Sequence, residues 1–216
     1  MVRFRASLAA LALGMVFAGT AVSASRASTT TVTRFEPPTL PEGLAVDALG
    51  TAYVGIATRG DILRIAADGG QSTLATLRPG LGSLLGLAVD AGGYVVAALA
   101  SNNSPRSDRH GIWRVRPNGS KEIVAELPPQ TMPNGLAYGP DGALFVSDSA
   151  RGSIWRIGTD GAAAPWLQHE LLDGDLQACP PRQLLTAVGP NGLAFEPGGS
   201  LLVASTTRAQ IVRVPV

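Results

Sequence analysis

The sequence predicts an all-β chain, a β-propeller of four-stranded antiparallel blades, on three observations. One motif recurs four times in phase. Each copy is followed by further short apolar runs separated by glycine-bearing turns. Gly and Pro are abundant, 26 and 16 of 216 residues, without a triplet period, which favours many turns over long helices. The motif copies are PEGLAVDALGTAYVGIA from Pro41, LLGLAVDAGGYVVAALA from Leu84, PNGLAYGPDGALFVSDS from Pro133 and PNGLAFEPGGSLLVAST from Pro190. Their shared Gly43, Gly86, Gly135 and Gly192 stand 43, 49 and 57 residues apart, in or near the blade period of about 40 to 50 residues.

Each copy reads as strand A, a turn and strand B. The turns DALGT, DAGGY, GPDGA and EPGGS place glycine where a two-residue hairpin needs a positive backbone angle, and alternating apolar residues flank them. A third strand follows in GDILRIAADG, GIWRVRPNG, GSIWRIGTDG and AQIVRVPV, and a fourth in QSTLATL, KEIVAEL and AAAPWLQ. The last repeat lacks its fourth strand, yet TTTVTRF at 29–35 stands unclaimed before the first strand A. Pairing that segment with the last blade would close the ring and remove the exposed sheet edges. A tandem pair of β-sandwiches does not account for one motif repeated four times in phase.

The N-terminus reads as an export leader. Arg3 and Arg5 precede the uncharged apolar run Leu8 to Ala18, and Val22-Ser23-Ala24 suits a signal peptidase. Residues 1–24 are therefore expected to be a signal peptide, residues 25–216 a single propeller domain, and the protein periplasmic or extracellular. No membrane span is expected after cleavage, because the apolar run is shorter than the ~20 residues a span requires. The 17 Lys+Arg against 16 Asp+Glu give a net charge of +1, which leaves no electrostatic footprint for nucleic acid. The single Cys179 cannot form an internal disulfide and is read as a buried thiol.

Loop lengths select a working face. The long insertions ASNNSPRSDRHG and HELLDGDLQACPPRQLLTAVG fall in B-to-C and D-to-A connections, which share one face of a propeller, whereas the other face has only tight hairpins. Irregular loops on a rigid scaffold are where binding and catalysis concentrate. The starts of strand A line the channel on that face and carry Glu42, Leu85, Asn134 and Asn191 before the shared glycines. Three of these four are oxygen donors, as a hard cation such as calcium requires; alternatively Pro-Asn-Gly is simply a turn entering a strand. Arg64, Arg114, Arg156 and Arg213 recur at one position of strand C and are read as structural ties.

The segments PEGLAVD, PNGLAYGPDGALFVSDS and PNGLAFEPGGSLLVAS resemble the regucalcin and gluconolactonase-like β-propellers, and more loosely NHL-repeat and strictosidine-synthase-like propellers, over residues 29–216. That resemblance implies a divalent metal, calcium first, held by Glu42 and Asn134. Where the family places a third ligand, an aspartate, this chain has Asn191, which removes a ligand charge and the family's general base. It also implies six blades where four are counted, so the chain is either a four-bladed ring closed by 29–35 or a shortened relative.

With an intact site the chemistry would be metal-assisted hydrolysis of a lactone or ester. Asp148, at the end of a strand B, is then the first candidate base, and His110, in the second-repeat insertion, the next. Asp108, Asp173 and Asp175 are looser candidates on the same insertions. The competing expectation is a non-catalytic propeller that binds a peptide, glycan or cell-envelope partner through the same face.

Overall fold

A computed structural model describes residues 29–178 and 187–216. The expected leader, residues 1–24, and Cys179 lie outside the described residues. Residues 33–216 form one compact unit. Among the described residues are fifteen strands and one short 3-10 helix, the strands arranged as four antiparallel sheets that are the blades of a β-propeller.

Blade 1 holds β1 (Pro41–Val46), β2 (Ala52–Ile56), β3 (Asp61–Ile65) and β4 (Gln71–Thr76) in that order. Blade 2 repeats the order with β5 (Ser83–Val89), β6 (Val95–Ala100), β7 (Gly111–Val115) and β8 (Lys121–Glu126). Blade 3 has β9 (Pro133–Tyr138), β10 (Leu144–Asp148), β11 (Ser153–Ile157) and β12 (Ala163–Gln168). The 3-10 helix Glu170–Leu172 follows, and blade 4 contains β13 (Pro190–Phe195), β14 (Leu201–Ser205) and β15 (Gln210–Val214). The inner strands β1, β5, β9 and β13 begin at or beside the four motif starts read from the sequence.

The hairpins differ in one respect from the two-residue turns expected. In DALGT, Gly50 N–H bonds Asp47 O at 3.0 Å and Asp47 N–H bonds Thr51 O at 3.0 Å, which makes a three-residue loop. Its third residue, Gly50, has φ +83°. A type I turn followed by a left-handed glycine is the next commonest hairpin solution, and the corresponding bonds recur in every A–B and C–D hairpin. Asp47 reinforces its turn by accepting from Leu49 and Thr51 N–H, both at 2.9 Å. The same carboxylate takes the Tyr53 hydroxyl at 3.1 Å, and these bonds hold Asp47 below the usual carboxylate range.

Three apolar cores lie between successive blades. Tyr53, Ile62 and Leu77 of blade 1 pack on Leu87, Val95 and Trp113 of blade 2. Ile112 and Val96 meet Val146 and Ile157 across the next junction, and Phe145 and Ile154 meet Leu201 and Val203 across the third. Phe145 adds edge-on contacts to Trp166 at 4.9 Å and Phe195 at 5.1 Å, a favoured aromatic geometry.

The closing strand expected at 29–35 is not formed. Residues 29–40 carry no strand, and the fourth sheet has three strands among the described residues. The Gln71 side-chain amide donates to Thr33 Oγ1, and Phe35 packs on Val54, Ile56, Leu63 and Ile65 of blade 1. The physical reason is the apolar surface blade 1 offers on that side, which gives Phe35 a larger gain than a ladder of Thr side chains would provide. Inner strands pack β1 on β5, β5 on β9 and β9 on β13, and no comparable packing joins β13 to β1 among the described residues.

Three of the strand C arginines act as ties within their own blades. Arg114 pairs with Asp90 at 3.2 Å, Arg156 with Asp141 at 2.6 Å and Arg213 with Glu196 at 2.8 Å, each acid lying at or within its blade's A–B turn. Arg64 lies over the Tyr53 ring, 6.0 Å from its centroid, and donates to Pro117 O of blade 2 at 3.4 Å, which ties two blades together.

Candidate functional site

The inner strands share a local irregularity that positions the candidate donors. Pro41 is opposite Ile56 and Leu44 opposite Val54, so Glu42 and Gly43 together face one residue of β2. The same shift occurs between Leu84 and Leu87, between Pro133 and Leu136, and between Pro190 and Leu193. Each is a β-bulge, a device that re-aims a side chain out of the regular alternation. The X-Gly dipeptide read as a motif is thus one bulge per blade, and X is Glu42, Leu85, Asn134 or Asn191.

Glycine follows each X because the blades approach closely there. A methyl group on Gly43, Gly86 or Gly135 would overlap the carbonyl oxygen of Leu85, Asn134 or Asn191 of the next blade. The four X residues therefore follow one another along the inner wall, with Leu85 between Glu42 and Asn134.

Two hydroxyls fix the asparagines. Asn134, 5% exposed, donates from Nδ2 to Ser149 Oγ at 3.1 Å, and Asn191 donates from Nδ2 to Thr206 Oγ1 at 3.2 Å. Ser149 Oγ donates in turn to Pro190 O at 2.5 Å, and Ser147 Oγ links Gly135 N–H and Asn191 O, both at 2.7 Å. The position that carries a hydroxyl in Ser149 and Thr206 carries Ala57 in blade 1 and Ala100 in blade 2, where X is not asparagine. Sequence reasoning missed this pairing; its signal was a hydroxyl residue 15 positions after the asparagine in both PNG repeats, where the other two repeats have alanine.

With Nδ2 engaged, each amide keeps Oδ1 for another partner. Glu42 is exposed, and desolvation at the wall raises its carboxyl above the ordinary value. The donor set, one carboxylate and two oriented amides, is of the hard-oxygen kind that calcium takes, with a single charge. Among the described residues no group of three or more His, Cys, Asp or Glu is gathered for a metal.

The expected bases are placed differently. Asp148 is fully buried. Its Oδ1 accepts from the backbone N–H of Met132 at 2.9 Å, Ala150 at 3.2 Å and Arg151 at 3.3 Å, and Oδ2 accepts from Trp155 Nε1 at 3.4 Å. It anchors the ends of β10 and the loop before β9, and its acceptor sites are filled from within the protein.

His110, expected on the surface of a polar insertion, is 3% exposed. The Thr131 hydroxyl donates to Pro128 O at 2.8 Å, so it accepts from His110 Nε2–H at 2.8 Å; Nδ1 then accepts from Ser101 N–H at 3.1 Å. The neutral ring is satisfied on both sides. Burial lowers its pKa below the ordinary value, opposed by the Ser101 backbone and the Asp148 charge.

Asp108 binds Lys121 at 2.7 Å and Arg78 at 3.4 Å across the junction of blades 1 and 2. Asp175 caps the Gln177 and Ala178 amides at 2.9 and 3.3 Å, and Asp173 follows the 3-10 helix. The structure thus places Glu42, Asn134 and Asn191 at equivalent bulges of three inner strands, and it ties Asp108 and Asp175 into structural bonds.

A cleft of about 700 Å³ lies on the opposite, hairpin face between blades 2 and 3, beside Asp90, Arg114, Glu122 and Tyr138. Its charged groups pair with protein partners: Arg114 with Asp90 at 3.2 Å and Glu122 with Arg116 at 2.9 Å. Among the described residues no helix is long and apolar enough to cross a membrane.

No protein-family model matches the chain, and no curated protein sequence matches it. Solved structures do. Virginiamycin B lyase from Staphylococcus aureus aligns at TM-score 0.57 and 17% identity, covering 82% of this chain and 55% of that one. A gluconolactonase from Xanthomonas campestris aligns at 0.60 and 22%, covering 81% and 58%. A chain of a nidogen/laminin complex aligns at 0.59 and 23%, covering 82% and 61%. The chain therefore spans little more than half the length of these structures. By fold it is a β-propeller.

Proposed function

We propose that this chain is an exported, non-catalytic binding propeller that takes a hydroxyl-bearing partner, a glycan or cell-envelope ligand, on the face where its inner strands begin. The observation that carries the reading is the contrast between the two groups of candidate residues. Asp148 and His110 are buried with their polar atoms engaged, whereas Asn134 and Asn191 are oriented by Ser149 and Thr206 with Oδ1 left over. Oriented amide oxygens beside a carboxylate accept hydrogen bonds from hydroxyl groups without needing a base. The fold is compatible with such a role, since it serves a nidogen/laminin complex as well as enzymes.

A second reading, metal-dependent lactone or ester hydrolysis, is favoured by the same row. Glu42, Asn134 and Asn191 would hold a divalent cation, calcium first, which would polarise the carbonyl and acidify a water. In that chemistry the chain's own residues orient the donors: Ser149 and Thr206 fix the amides, and Glu42 supplies the one negative charge.

One experiment separates the readings. Calcium titration by calorimetry and turnover of a lactone and ester panel are measured on the purified chain, beside binding to a glycan array. The binding reading expects no turnover with or without calcium, and glycan retention that falls at least tenfold in Asn134→Asp and Asn191→Asp. Calcium-dependent turnover abolished by Glu42→Gln overturns it in favour of the hydrolase.

A further inference from the structure

We infer that the chain associates head to tail with a second copy of itself, the trailing face of blade 4 against the leading face of blade 1. The evidence is one residue position followed around the molecule. Strand C carries an isoleucine at the same place in every blade, and Ile62, Ile112 and Ile154 are each fully buried against the blade that follows or the sheet beneath. The fourth, Ile211, is 66% exposed.

The glycines repeat the pattern. Gly43, Gly86 and Gly135 have the next inner strand's carbonyl against them, whereas a methyl group on Gly192 would meet nothing nearer than Ala204 Cβ at 4.0 Å. Blade 4 thus presents the surface that blades 1 to 3 use to receive a neighbour, with no neighbour on it among the described residues.

The complementary surface is open along the inner strand at the other end. Leu87 of β5, the residue that blade 2 turns toward blade 1, is buried in their shared core. Its counterpart in β1, Leu44, is 66% exposed, and Val46 is 59% exposed. Phe35 covers the outer part of that face, over Val54, Ile56, Leu63 and Ile65, and leaves the inner-strand part open.

One chain therefore carries both halves of a junction that it builds three times internally. The receiving face with Ile211 and Gly192 and the open inner-strand edge with Leu44 and Val46 match the two halves of the internal junctions, and the occupant proposed is a second copy. The contact is heterologous: it either closes a ring or propagates. Two copies joined at both junctions make eight blades, inside the range of about 4 to 8 found in propellers.

The test is sedimentation velocity on the purified chain over a concentration series, with three variants. Wild type is expected to shift from the monomer to about twice its mass or more as concentration rises. Gly192→Ala adds a methyl group that the isolated chain accommodates and the junction does not, so it stays monomeric with unchanged circular dichroism. Ile211→Asp and Leu44→Asp alter exposed positions and are each monomeric alone. Mixed together they retain one intact pair of faces, the leading face of Ile211→Asp and the trailing face of Leu44→Asp, and form a one-to-one dimer that grows no further. A wild type that is monomeric throughout the series overturns the proposal. So does association that survives in Gly192→Ala, or a mixture of the two aspartate variants that stays monomeric.

Discussion

Asp148 and His110 show what a buried polar side chain does when its partners are internal. Replacing Asp148 by Ala leaves the amides of Met132, Ala150 and Arg151 without that acceptor, and an unsatisfied buried donor costs about 1–3 kcal/mol. Asp148→Ala is expected to lose about 2–4 kcal/mol in urea unfolding, and Asp148→Asn, which keeps one acceptor oxygen, less. Ligand retention per folded molecule should be unchanged in both; a selective loss of binding at full stability would return Asp148 to the site. His110 supplies a pH signature. Its folded pKa lies below the ordinary 6.5, so the two states bind protons alike above that value. As pH falls through 6.5, the unfolded chain takes up a proton that the native chain refuses, and stability drops by up to about 1.4 kcal/mol per pH unit until the folded value is reached. The depressed Asp47, Asp108 and Asp141, with model-compound values of 3.8, act only in more acid solution. Between pH 7 and 5 urea midpoints should therefore fall more in wild type than in His110→Gln, in which the raised Glu42 carboxyl, acting in the opposite sense, remains.

At the scale of the element, glycine has two unrelated duties, and only one was legible in the sequence. Gly93 sits at φ +76° in the A–B hairpin of blade 2 with open space where a side chain would be. Gly93→Ala is expected to cost about 1–2 kcal/mol, the price of a left-handed residue with a Cβ. Gly86 has no such angle, yet its methyl would overlap Asn134 O across the blade junction. Gly86→Ala must push two inner strands apart and should be the more damaging of the pair, read as the larger fall in melting temperature. The DAGGY pattern announces the first duty because turn chemistry is local. The second requires knowing that another copy of the motif lies alongside. The same division explains the rest. Strand positions and blade count follow from period-two alternation and a repeat, both of which are written along the chain. The bulge at Glu42, Asn134 and Asn191, the pairing of asparagine with Ser149 and Thr206, and the burial of His110 arise between segments distant in sequence. TTTVTRF carries strand propensity, but propensity does not choose a partner, and Phe35 found the apolar side of blade 1.

For the whole molecule, the consequence of four blades in a row is an uneven distribution of stability. Among the described residues the main blade-to-blade packing joins neighbours in sequence, so each blade is held by its own sheet and by one or two junctions, as in other repeat architectures. Blades 2 and 3 have a core on both sides, and every residue of β10 and five of six in β6 are buried. Blade 4 has one junction among the described residues, and β15 has no buried residue. Hydrogen exchange at low concentration should therefore find the slowest amides in β6 and β10, opening only with global unfolding, and the fastest strand amides in β15, whose opening exposes little additional apolar surface. Raising the concentration should protect β13 to β15, together with β1, without altering β6 or β10, because a partner bound to the native state stabilises the segments it covers. Gly192→Ala should abolish that concentration dependence while leaving the low-concentration ranking in place. Exchange that is uniform across the four blades would mean that the chain opens as a single cooperative body, with the two end faces contributing as much as the interior junctions.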